Sequence, residues 1–176
     1  LRNGLHSQSF ELHKRGFIQK SFQPTTKMNY VHKKRLLKLA DFLDKLPPEK
    51  FDFDKIVYGS ELPNKTLSCG SVGCAIGWCP VVFPRLVMYE QYDTDSDSGI
   101  RVKHRISGYD NYRYIARELF GVNPHREAFA LFSPGWDGDM EREVLGLPNI
   151  GSDATPKQVA KNIRKFIAIK TKEAKK

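Results

Sequence analysis

The chain has 176 residues, with 29 Lys and Arg against 20 Asp and Glu, and is long enough for one domain with its own core. Hydrophobic residues make up 40% and charged residues 28%, an ordinary balance for a globular domain, and no apolar run reaches the length of about 18 residues that spans a bilayer. The net charge of +9 is uneven: residues 1–27 carry +4, residues 28–50 carry +3 and residues 155–176 carry +7, which leaves the middle at −5; basic ends on an acidic body suit an anionic partner or self-assembly, whereas general nucleic-acid binders show a continuous basic face.

Leu1–Lys27 is rich in Ser, Gln, His, Lys and Arg, and Glu11 is its only acid. It lacks the apolar core of a secretory signal and reads as a basic arm or leader that orders on a partner. Met28 stands directly before the clearest helix, Tyr30–Leu46. There Leu36, Leu39, Ala40, Leu43 and Leu46 recur at three- and four-residue steps and form one apolar stripe. Its basic start, with Lys33, Lys34, Arg35 and Lys38, reads as a solvated face and as a set of candidate binding residues. Pro47-Pro48 ends the helix. Phe51, Phe53, Ile56 and Tyr58 then form an apolar cluster, and Gly59–Leu67 is a loop.

All three cysteines lie between Cys69 and Cys79. The spacing predicts a short buried helix over Cys69–Trp78, with Ser68 as its cap and Pro80 as its stop. Its glycines each cost roughly 1 kcal/mol of helix propensity relative to alanine, so packing must compensate; Gly73 and Gly77 share a face that lets another backbone approach. Three chemical readings compete with this structural one. The Cys-x4-Cys-x4-Cys pattern is not the close pairing of zinc sites, and on a helix successive cysteines point about 140° apart. Cys69 at a helix start would favour a thiolate, but only His104 and His125 lie downstream as bases. Ser68–Gly73 offers backbone donors to an anion, without the Lys and Ser/Thr ending of a phosphate loop. The structural reading is adopted, with Cys69, Gly73, Cys74, Gly77 and Trp78 as core residues.

Asp93, Asp95 and Asp97 alternate as at the start of a calcium loop, but the glycine falls one place late, at Gly99, and His104 stands where the closing glutamate belongs. A solvated turn is the simpler reading. Ile100, Val102, His104 and Ile106 alternate with Arg101, Lys103 and Arg105, which predicts a half-exposed strand with a basic outer face, paired with Leu86–Tyr92 in a hairpin. Tyr109–Phe120 is a second amphipathic helix closed by Gly121. Asn123-Pro124 starts another, with Ala128, Leu131 and Phe132 inward, until Pro134. Gly135–Gly151 reads as loop, with one helical turn at Met140–Leu145 and with Asp137, Asp139 and Glu141 as helix-start acids. Thr155-Pro156-Lys157-Gln158 is a capping box. It opens a last helix with Val159, Ile163, Phe166 and Ile167 inward and a solvated basic tail from Lys170.

Several of these segments carry a resemblance: Leu46-Pro47-Pro48-Glu49-Lys50-Phe51, the run Cys69-Gly70-Ser71-Val72-Gly73-Cys74-Ala75-Ile76-Gly77-Trp78, Ala116–Gly121, Leu131–Pro134 and Thr155–Phe166. Over roughly Met28–Ile167 the chain resembles small bacteriophage and prophage proteins with no assigned activity. The resemblance implies a viral setting and no mechanism. The expected architecture is a single, mainly α-helical domain at 28–169. It has about five helices around a buried small-residue helix and a small β-hairpin near 86–106, flanked by the arm 1–27 and the tail 170–176. The expected function is that of a non-catalytic interaction protein, an accessory factor or minor particle component in the reducing host cytoplasm or virion. It would dock through its basic ends on a protein partner or assemble with itself, without membrane, metal or cofactor. The binding candidates are Lys33, Lys34, Arg35, Lys38, Arg101, Lys103 and Arg105. Nucleic-acid binding through these and Lys157–Lys176 is the first alternative, and a cysteine enzyme or metal site at Cys69 or Cys74 is the second.

Overall fold

Asn29 caps the first helix, α1 (Tyr30–Leu43), by accepting the His32 amide at 2.8 Å, which satisfies one of the open donors of the first turn. The structure, a computed structural model, describes residues 28–53, 73–94 and 97–175. Leu36, Leu39, Ala40 and Leu43 are all buried from one side of α1. The helix stops at Leu43, and Leu46 stays in the core from the turn that follows. Pro48 then opens a single 3-10 turn, Pro48–Lys50. Phe53 is buried, and Phe51 forms a parallel bridge to Gly73.

The helix expected over Cys69–Trp78 is not found in its described part. Residues 69–72 lie outside the described residues; Gly73 is in the bridge, residues 75–78 form turns, and a short helix, α2 (Cys79–Val82), begins where the expected one was to end. Pro80 sits in the first turn of α2, where its missing N–H costs nothing, while Gly73 and Gly77 disfavour helix before it. Proline here starts a helix.

The hairpin forms as the alternation predicts, from β1 (Val87–Thr94) and β2 (Asp97–His104), antiparallel with Val87 opposite His104 and Thr94 opposite Asp97. Pairing puts Asp93 and Asp97 in the ladder, not in an open loop of the kind that wraps calcium; Asp95 lies outside the described residues. Val102 and His104 are buried while Arg101 and Lys103 are half-buried on the other face. Ile106, expected on the inner side, is 83% exposed. The strand ends at His104, whose backbone closes a turn with Tyr109 and Gly108, so the two-residue period no longer governs Ile106.

Helix α3 (Tyr112–Phe120) starts at an Asn111 cap, three residues later than the sequence suggests, and ends at Gly121 with φ 63°. Gly121 is required twice over: the backbone is left-handed, and a Cβ there would fall 2.1 Å from His32 Nδ1. Helix α4 (Glu127–Phe132) buries Ala128, Leu131 and Phe132. The segment read as loop, Gly135–Gly151, instead opens with a ten-residue helix, α5 (Gly135–Val144). Its glycines hide it from propensity, and a buried Arg142 holds it. Helix α6 (Pro156–Glu173) has the full capping box, with Thr155 accepting from Gln158. It runs past Lys170, which is buried and paired with Glu127 rather than solvated.

α1 lies along α6 and α3, α4 on α5 and α6, and α2 beside α1 and β1. Between them Leu36, Leu39 and Leu43 meet Ile115, Leu119, Leu131, Ile163 and Phe166 in one core. Phe120 joins its halves, with ring centroids 5.9 Å from Phe83 and 5.6 Å from Phe132. The architecture is therefore mainly helical, one domain with, among the described residues, a single small hairpin.

Candidate interaction surface

The cysteine segment is a structural hub. Gly73, Cys74, Gly77 and Trp78 are all buried. Trp78 donates its indole N–H to the Lys50 carbonyl at 3.1 Å and lies 5.9 Å from the Phe42 ring. Gly77 offers its carbonyl to the Tyr89 hydroxyl at 2.8 Å. Small residues here let three elements, the end of α1, the 3-10 turn and β1, converge on one strip of backbone. Burial pushes the Cys74 thiol up and the Cys79 thiol well up, so neither is a thiolate at neutral pH. His104 is engaged with Ser107, and the His125 ring meets Tyr114 edge-on. Cys69 lies outside the described residues. Among the described residues, no three His, Cys, Asp or Glu side chains converge as a metal site requires, and no helix is long and apolar enough to cross a membrane.

The sequence-nominated cations turn out to be largely spent inside the fold. Arg35 donates to the carbonyls of Glu118 and Leu119 at the end of α3, at 3.4 and 3.1 Å. Lys38 donates to the Val82 carbonyl at 2.9 Å and lies over the Phe83 ring. Both serve helix C-termini, where open carbonyls and the dipole attract cations. Glu90 takes Arg101 at 2.6 Å and Lys103 at 2.7 Å, and these two hydrogen bonds, Lys103 first, hold its carboxyl below the usual range. Arg101 also reaches Asp110 at 2.8 Å, and Arg105 donates to the Pro84 carbonyl at 2.9 Å. Of these seven cations, Lys33 and Lys34 alone have neither an ion pair nor a side-chain hydrogen bond among the described residues. The hairpin's basic face is thus occupied by Glu90 of the partner strand, by Asp110 and by the Pro84 carbonyl.

A row of uncommitted charge lies on α6. Lys157, Lys161, Lys165 and Lys172 are exposed, and none is ion-paired to a described residue. At about 100° per residue all four fall within one sector of about 80°. Arg164 lies beside them and binds Asp41 and Asp44 of α1 at 2.8 and 2.6 Å. The only acid of the helix is Glu173. The sequence shows this charge as a basic end, but only the burial of Lys170 and the neutralisation of Arg164 separate the free lysines from the used ones. A second surface was missed: Trp136, Met140 and Val144 on α5 are exposed. Their four-residue spacing is visible in the sequence, but the expected helical turn covers only Met140–Leu145 and leaves Trp136 in the loop before it.

The fold and this surface define a small helical domain with a lysine face on α6 and, at Cys74 and Cys79, buried thiols. No protein-family model, no curated protein and no solved structure matches the chain.

Proposed function

We propose that this is a non-catalytic interaction protein, an accessory factor or minor particle component of a phage-type system, that docks on an acidic protein partner through α6. The observation that carries the reading is the exposed, unpaired row of Lys157, Lys161, Lys165 and Lys172 on a capped helix. Fixed like charges on a rigid element steer and orient an oppositely charged partner. The row is one helix wide and is bordered by Asp41 and Asp44, which suits an acidic helix or loop better than a duplex, whose phosphates call for broader basic cover. The phage setting rests on the sequence resemblance. A reducing host cytoplasm or virion is supported by the buried free thiols of Cys74 and Cys79.

Nucleic-acid binding is the second reading, favoured by the same lysines. A fluorescence-anisotropy titration with a polyglutamate peptide and with duplex and single-stranded oligonucleotides separates the two. The expected result is polyglutamate binding that weakens as salt shortens the screening length below about 8 Å and that is lost when all four lysines become glutamate. Tighter, lysine-dependent oligonucleotide binding would transfer the function to the second reading, and failure to bind either polyanion would sink both.

A further inference from the structure

The apolar stripe on α5 is left uncovered by the described residues. Trp136 is 74% exposed, Met140 46% and Val144 63%, and their spacing holds them within a sector of about 80°. A tryptophan, a methionine and a valine in one exposed row form a patch of the kind that marks docking sites. Acids flank it. Asp137 and Glu143 are exposed and fall on opposite sides of the stripe by helical rotation, while Asp139 and Glu141 turn away to Arg142 and Arg126.

The complement stands elsewhere on the same molecule. The first turns of α1 expose Tyr30 at 77% and Val31 at 51%. Lys34 is also exposed and lies between them by rotation. This patch is apolar and basic; the other is apolar and acidic. Both are open, so within one chain neither covers the other.

We propose that the two patches meet between copies: the α1 start of one chain, Tyr30, Val31 and Lys34, seats on the α5 stripe of the next, with Lys34 against Asp137 or Glu143. Because the surfaces differ, the contact is heterologous and propagates head to tail. A standard interface buries about 800 Å² per partner, more than these few side chains supply, so the association is reversible and concentration-dependent. It uses neither the lysines of α6 nor their partner, and leaves that face outward.

Sedimentation velocity of the full chain across the micromolar range tests this. The expected average mass rises with concentration and passes that of a dimer. Trp136→Ser and Val31→Ser, both at exposed positions, each hold the protein at monomer mass. An equimolar mixture of the two variants forms a dimer and stops there, since each brings one intact patch. Lys34→Glu weakens association, and mixing it with Asp137→Lys restores it. The variant with all four α6 lysines changed to glutamate associates as the parent does, which separates this inference from the polyanion reading. A monomer at every concentration overturns the proposal and leaves the stripe to a different protein. A parent that stops at a dimer, or variants whose mixture restores nothing, overturn it as well.

Discussion

Arg142 is the side chain on which the second half of the fold turns. It is fully buried, yet each of its three guanidinium nitrogens has a partner. One terminal nitrogen donates to the carbonyls of Ala130 and Ser133 at 3.1 and 3.0 Å, the other terminal nitrogen and Nε reach Asp139 at 2.6 and 3.0 Å, and the guanidinium lies over the Phe53 ring. The planar fork serves the open end of α4 and the first turns of α5 together. Gly138 makes room, since a Cβ there would stand 2.2 Å from the Ser133 carbonyl oxygen. Arg142→Met is expected to lower the unfolding free energy by about 3 kcal/mol, because it strands two carbonyls and a carboxylate. Arg142→Lys should recover less than half of this, since an ammonium cannot repeat the fork. Urea denaturation checks both, and a cost below about 1 kcal/mol for Arg142→Met, the worth of an ordinary hydrogen bond, would show that the network is not what holds α5. Periodicity carries no trace of a buried arginine, so the sequence predicts one helical turn at Met140–Leu145 and not the helix from Gly135.

Among the elements, the hairpin and α6 were legible because each announces itself locally. Alternation marks β2, and a proline inside a Thr-x-x-Gln box marks the start of α6. The turn from β2 into α3 depends on one titrating ring. His104 is buried at the strand end, and its Nδ1 accepts the Ser107 amide at 3.2 Å and lies 2.9 Å from the Ser107 hydroxyl. That geometry needs the neutral ring with its proton on Nε2. Burial lowers the affinity of His104 for a proton, and burial followed by the nearby Arg35 does the same for His32. The unfolded chain therefore binds more protons than the fold as pH drops below about 6.5, and stability is lost on acidification. The urea midpoint is expected to fall between pH 7 and pH 5, and to fall less in His104→Asn. An unchanged midpoint across that range would show that neither ring stays neutral in the fold.

At the scale of the whole molecule, α4 is tied to α6 by a buried ion pair. Lys170 Nζ lies 2.5 Å from Glu127 Oε1, and the other carboxylate oxygen accepts the Asn123 amide at 2.9 Å. Lys170→Met would leave a buried carboxylate without its cation and should cost about 3 kcal/mol. Adding Glu127→Gln should return most of it. A double-mutant cycle with no coupling between the two positions would refute the pair as a link between helices.

By itself the sequence determined the class of the fold, the apolar faces of α1, α3, α4 and α6, the hairpin, and the charge at the chain's ends, because helical and strand periods and caps are written in neighbours three, four or two residues apart. It did not determine that Pro80 starts a helix, that Arg142 and Lys170 are interior, or that Arg35, Lys38, Arg101 and Lys103 are occupied. A cation becomes free or spent only when folding brings a distant carbonyl or carboxylate to it, as Glu118 comes to Arg35 and Asp44 to Arg164. The lysine row of α6 and the α5 stripe therefore emerge as surfaces only from the tertiary structure, because being left over is a property of the whole packing and not of any local stretch of chain.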